Sequence, residues 1–165
     1  MSVFASLVVG ADGATTKNGS SREISSGIDR TSFLARRRAV DFIFIGGETA
    51  RTEPYHRTPV PVVVSSRSLV NALTDNRLAH WWNLSPAAAI EKGAKRFGSN
   101  VLVESGGNML VQLLSEKILD GIYLSITDVT GGDNSIDYEA LLKKFINIES
   151  QKIGDTLFIE AKTLK

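Results

Sequence analysis

Cysteine is absent from this 165-residue sequence. That excludes disulfides, a thiol nucleophile and thiolate metal sites, and it is compatible with the cytosol. Long apolar runs are absent too. No stretch approaches the roughly 18 consecutive apolar residues a membrane-spanning helix needs, so none is expected. The start, Met1-Ser2-Val3-Phe4, has no basic region ahead of its apolar segment, so no secretory signal is expected. Charge of one sign is not in excess. Nineteen Lys and Arg against eighteen Asp and Glu leave +1, which implies no long-range attraction to nucleic acid. The one dense basic spot is Arg36-Arg37-Arg38, either a solvated helix face or a phosphate site. Histidine is scarce. His56 and His80 stand alone, neither with a partner at metal or triad spacing, and both are expected in loops.

What is present is an ordinary apolar fraction of 42%, enough for one domain over residues 1–165 with a full core. The chain is organised around Val101-Leu102-Val103-Glu104-Ser105-Gly106-Gly107-Asn108, a short buried strand run into two glycines. A helical spacing of Leu110, Val111, Leu113 and Leu114 comes next. Strand, glycine turn, helix is a common way to present backbone N–H groups to an anion, and equally a way simply to turn. Val3–Val9 and Asp41–Ile45 read as further buried strands, the second ending in Gly46-Gly47. Proline marks the start of a strand over 59–64. A helix is expected from Ile28 to Arg38 behind the caps Ser25 and Ser26, and another from Pro86 to Phe97, closed by Gly98. Asn71–Leu84 is polar and then carries Trp81-Trp82, a pair suited to the core edge or to a partner chain. Gly121–Ile126 reads as a strand and Asp137–Leu142 as a short helix. Phe145–Lys152 and Thr156–Lys162 alternate about Gly154-Asp155 and predict an antiparallel hairpin. Apolar strands separated by helices predict an α/β fold: a mixed, mostly parallel sheet flanked by helices, ending in that hairpin.

Four stretches together resemble a known family. They are Val8-Val9-Gly10-Ala11-Asp12-Gly13; Ser21–Ser25 with the helix ending near Arg37-Arg38; Asp41-Phe42-Ile43-Phe44-Ile45-Gly46-Gly47-Glu48-Thr49; and Val101–Gly107 with Leu113-Leu114 and Ile118-Leu119-Asp120 after it. In order and spacing they are similar to the pyrimidine reductase domain of riboflavin biosynthesis, whose fold is that of dihydrofolate reductase. The resemblance implies reduction of the ribosylamino group of a phosphorylated pyrimidine, 5-amino-6-(5-phosphoribosylamino)uracil or its deamination-state equivalent, to a ribitylamino chain. NADPH would be the hydride donor, with the protein supplying orientation and electrostatics. It further implies a cytoplasmic homodimer. Relative to the usual member, Val64 is followed too soon by the Pro86 helix, so a strand and a helix are expected to be missing here.

Carried over position by position, the resemblance implies cofactor contacts from Thr49, Glu53, Glu104, Ser105, Gly106, Gly107 and Asn108. Ser21, Arg37 and Arg57 would contact substrate, with Arg37 a fork of N–H donors suited to a phosphate. Glu53 and Asp12 would be catalytic, Glu53 by stabilising a protonated imine. Plainer readings stand beside these. Glu104 could cap the turn after it, Thr49 could cap a helix, Glu53 could be an exposed loop charge, and Ala11-Asp12-Gly13 is ordinary turn chemistry. Ser105 replaces a family glycine, and Glu23 stands where the family commonly has tryptophan. Two alternatives therefore remain: a dihydrofolate- or pterin-type reductase of the same fold, and a non-catalytic protein that binds a nucleotide or a partner.

Overall fold

The computed structural model describes residues 1–165. Its strands are β1 (Ser2–Val9), β2 (Ala14–Thr16), β3 (Phe42–Gly46), β4 (Val62–Ser65), β5 (Ala79–Trp82), β6 (Asn100–Val103), β7 (Gly121–Ile126), β8 (Asn134–Ser135), β9 (Phe145–Ile153) and β10 (Thr156–Leu164). The helices are α1 (Gly27–Arg38), α2 (Gly47–Thr52), α3 (Pro86–Phe97), α4 (Gly107–Ser115) and α5 (Tyr138–Leu142), with a 3-10 turn at Ser21–Glu23. Eight strands form one mixed sheet in the order β5-β4-β3-β6-β1-β7-β10-β9, and β2 pairs with β8. This is the expected mixed, mostly parallel sheet with helices and a closing antiparallel hairpin. No helix is long and apolar enough to cross a membrane.

Contacts divide the chain into two compact units: Met1–Val3 with Ala35–Ile118, and Phe4–Leu34 with Leu119–Lys165. In the first, β3 pairs in parallel with β4 on one side and β6 on the other, and β4 pairs in parallel with β5. Every residue of β3 is buried, because both of its faces are covered. Ile43 and Ile45 face a cluster with Val62, Val64, Ala50, Tyr55 and Leu73. Phe42 meets Phe97 of α3, with ring centres 5.9 Å apart. Helix α3 begins as its sequence dictates: Pro86 occupies the first turn and Ser85 accepts the Ala88 N–H as N-cap.

The second unit is built on β7, parallel to β1 and antiparallel to β10. β10 turns back on β9 through Gly154-Asp155, with Gly154 at φ 60°. A glycine at the first of two central positions is what a tight hairpin of this kind demands. Val9, Leu124 and Ile159 form its inner cluster, packed against Ile136, Tyr138 and Leu142. Ser26 caps α1 by accepting the Asp29 N–H, as the sequence suggested.

Two local expectations are corrected. The strand expected to be missing after Val64 is present as β5, a parallel edge strand within Asn71–Leu84, while no helix lies between β4 and β5. With four half-buried residues, Ala79-His80-Trp81-Trp82, β5 is too short for alternation to reveal. His80 is therefore a strand residue, its ring 4.8 Å from that of Phe97, and burial together with Arg96 lowers its pKa. His56 does lie in a loop, but its Nδ1 pairs with Asp75 Oδ2 at 2.7 Å.

The packing of α3 on β3 gives a direct test. A Cβ on Gly93 would lie 2.7 Å from the Phe42 ring. Gly93→Ala should therefore destabilise the protein by about 1–3 kcal/mol through overpacking, read as a lower urea midpoint at unchanged slope.

Candidate active site

β3 and β6 are adjacent and parallel, so their C-terminal ends lie side by side. Phe42, Ile43 and Phe44 stand beside Val101, Leu102 and Val103, and Glu104 N donates to Phe44 O at 2.9 Å. Each strand runs through glycine into a helix. Crevices beyond the carboxyl ends of parallel strands are where ligands bind in open α/β sheets. Ser105 joins the two ends, since its Oγ accepts the Gly46 N–H at 3.0 Å. The residue that replaces a family glycine thus gains a structural role.

The start of α4 is left without a side-chain cap. Gly106 is its N-cap and makes no side-chain hydrogen bond. By contrast α1, α3, α5 and the 3-10 turn are capped by Ser26, Ser85, Asp137 and Ser20. The first N–H groups of a helix have no intrahelical partner, and they carry the positive end of its dipole. Around Gly106 and Gly107 nothing lies within 4 Å of where a Cβ would project, so the approach is open. Asn108 is exposed in the first turn. Thr49 is half-buried in α2, which is also uncapped, so Thr49 does not serve as its N-cap.

Glu104 is buried at the end of β6, and the structure supplies the partners that such a carboxylate requires. Arg37 Nε lies 2.9 and 3.1 Å from its two oxygens, and Arg37 Nη2 is 2.6 Å from Oε2. Tyr55 Oη donates to Oε2 at 2.6 Å. The Arg37 guanidinium also sits over the Tyr55 ring, 4.9 Å from its centre. Burial works against the Arg37 charge, but the Glu104 carboxylate outweighs it and the guanidinium pKa is pushed up. Burial, then the Glu104 charge, pushes the Tyr55 phenol well above its ordinary value, so it remains a donor. Arg37 and Glu104, read from sequence as contacts to two different ligands, are thus brought together as one buried pair.

The remaining candidates lie around the strand ends and in the second unit. Glu53 closes α2, its N–H donating to Thr49 O, and is half-buried. Arg57 is exposed in the loop before β4. In the second unit, Ser21 opens the 3-10 turn and is half-buried. Asp12 is exposed and clasps its loop: Oδ1 accepts the Ala14 N–H at 3.1 Å and Oδ2 the Gly131 N–H at 2.8 Å. A shallow hollow of about 260 Å³ adjoins it, lined by Ala11, Ile136, Asp137, Tyr138 and Glu139. Tyr55 was not singled out by sequence reasoning. The only signal was a large aromatic residue in an otherwise polar loop.

The N–H groups of Gly131 and then Ala14 hold the Asp12 carboxyl below its ordinary pKa. A depressed carboxylate contributes stability above its unfolded pKa and loses it as pH falls through the lower folded value. The melting-temperature gap between the native chain and Asp12→Asn should therefore be present at pH 6 and close progressively below pH about 4.

The fold is shared with known proteins. Among solved structures, a Thermotoga maritima diaminohydroxyphosphoribosylaminopyrimidine deaminase/5-amino-6-(5-phosphoribosylamino)uracil reductase superposes with a TM-score of 0.71 at 14% identity, over 98% of this chain and 56% of that one. Acinetobacter baumannii RibD gives 0.72 at 13% identity, over 98% and 57%. A pyrimidine reductase-like protein from Corynebacterium diphtheriae gives 0.67 at 15%, over 99% and 92%. The chain thus spans little more than half of the two bifunctional or RibD-named proteins and nearly all of the third. A search of curated proteins finds no match. The model of the RibD C-terminal domain family matches residues 1–159, almost the whole sequence, and the chain belongs to that family, a family of reductase domains.

Proposed function

We propose that this chain is an NADPH-dependent pyrimidine reductase acting in riboflavin biosynthesis, with the ribosylamino group of 5-amino-6-(5-phosphoribosylamino)uracil, or its deamination-state equivalent, as substrate. The observation that carries the reading is the uncapped, sterically open start of α4 at the carboxyl end of a parallel strand, in a chain of this family. A diphosphate fits there: it is an anion, and the turn offers backbone N–H groups with no Cβ in the way. Gly106, Gly107 and Asn108 would hold it by their backbone, with Ser105 keeping the turn against β3, and Thr49 and Glu53 would lie along the same strand ends. When bound, NADPH supplies the hydride.

The chain's own residues take the other roles. Glu53 offers a carboxylate that stabilises a cationic, protonated imine. Asp12 keeps its loop closed while presenting negative charge to the surface. Ser21 and Arg57 offer a hydroxyl and a guanidinium to a polar or phosphorylated substrate. The substrate contact inherited by Arg37 is limited to what its guanidinium can offer beyond Nε and Nη2, which Glu104 engages. That engagement favours a second reading, a reductase of the same fold for a pterin-like substrate whose recognition needs no Arg37 phosphate contact. A cytoplasmic homodimer completes the proposal, and sedimentation equilibrium checks its oligomeric part.

Trp81 and Trp82 make the binding test direct. NADPH should quench their fluorescence saturably. Gly106→Val should abolish that binding while leaving the melting curve nearly unchanged, because the added side chain enters open space. A Gly106→Val protein that binds as the native chain does would remove the cofactor from this turn. Consumption of NADPH with the phosphorylated pyrimidine, against none with dihydrofolate, separates the two reductase readings.

A further inference from the structure

Tyr55 has none of the roles assigned so far, yet it is buried in a loop otherwise exposed at Pro54, His56 and Arg57. The backbone around it is fixed from both sides. Tyr55 N donates to Glu53 O at 3.0 Å, and Asn76 Nδ2 donates to Tyr55 O at 2.9 Å. Asn76 also reaches Thr58 Oγ1 at 3.1 Å, so the loop is tethered at two points. The phenol is therefore delivered from a held backbone to the same Glu104 oxygen that takes Arg37 Nη2.

We infer that Tyr55 is a positioning residue: together with Arg37 it locks the Glu104 side chain, and thereby fixes the path of the backbone from β6 into the Ser105–Gly107 turn. Two consecutive glycines have more conformational freedom than any other residue pair and no side chain to anchor, so the shape of the turn depends on the residues around them. Its course is set by the residues before it, and of these Glu104 is the one whose side chain is tied to two other segments, α1 and the α2–β4 loop. Charge acts in the same sense. A bare carboxylate two residues before an anion-binding N-terminus would repel the anion. Arg37 cancels that field, and Tyr55 holds the carboxylate against Arg37 so that the cancellation is geometrically fixed.

The consequence for ligand affinity rests on the nucleotide-binding proposal, whereas the positioning itself does not. Amide hydrogen exchange in the full chain tests it. In Tyr55→Phe, the hydrogen-bonded amides that bracket the turn, those of Glu104 (to Phe44 O), Gly46 (to Ser105 Oγ) and Leu110 (to Gly106 O), should exchange about tenfold faster relative to the bonded amides of β6, the factor expected when a hydrogen bond to a charged group is removed. An equal change in turn and strand would make Tyr55 a packing residue only and overturn the inference. The native chain gives a second measurement should the variant fold poorly. The Arg37 Nε–H, facing both Glu104 oxygens, should appear as a distinct, slowly exchanging resonance, and exchange at the solvent rate would equally overturn the inference. NADPH titration of the same proteins keeps the two proposals apart. A native chain that binds no NADPH ends the nucleotide reading, while the exchange data alone decide the positioning one. Weaker binding by a well-folded Tyr55→Phe supports both.

Discussion

A carboxylate at the end of a buried strand is the constraint around which the first unit is arranged. Glu104 comes directly after three apolar residues and is buried as they are. Left unpaired it would be too costly to keep ionised. The chain answers with a guanidinium from 67 positions upstream and a phenol from 49 upstream. Such a pair adds little net stability over an apolar core of the same shape, but breaking it by removing one partner typically costs about 3–5 kcal/mol. Its value is therefore in register. The C-terminal turn of α1, the loop after α2 and the end of β6 meet at these three side chains.

That register matters because the glycine turn into α4 begins at the very next residues. β3 and β6 end together, and each passes through glycine into a helix. Ser105 takes the Gly46 N–H, so the two ends are fastened by a side chain at the position where the family pattern has a glycine. The departure closes the inner part of the turn and leaves Gly106 and Gly107 as its open part. At Gly106 and Gly107 nothing stands where a Cβ would project, and the Glu104 carboxylate before them is paired with Arg37. Capping is consistent with this division of labour. Helices α3 and α5 carry Ser or Asp at their N-termini, and α4 carries neither.

Much of this was legible in the sequence, for definite reasons. Strands buried on both faces read as unbroken apolar runs, so β3, β4 and β6 stood out; β1, read the same way despite Ser6, is instead half-buried at most of its positions. Pro86 and Gly98 bracketed α3, and the Gly154-Asp155 turn announced the β9–β10 hairpin. β5 escaped because an edge strand of four half-buried residues has no period to detect. The glycine turn was visible as a candidate, but whether α4 was capped was not, since capping is a matter of geometry. The Arg37–Glu104–Tyr55 contact was wholly invisible. Nothing in the local sequence around any of the three says which distant residue will meet it, and each read naturally as something else: a phosphate ligand, a cofactor contact, a loop aromatic.

The same contact bears on how far family membership carries a function. Fold and family fix the sheet, the strand ends and the glycine turn, and those are the parts suited to hold a cofactor. Substrate choice is set by side chains grafted on that frame. Here the arginine best placed by sequence to meet a substrate phosphate has its Nε and Nη2 donors turned inward, and Glu23, in place of the common tryptophan, is exposed and accepts from Asn18. Neither feature touches the start of α4. The start of α4 is thus open and uncapped beside Ser105, whereas Arg37 and Glu23 use hydrogen-bonding capacity within the chain.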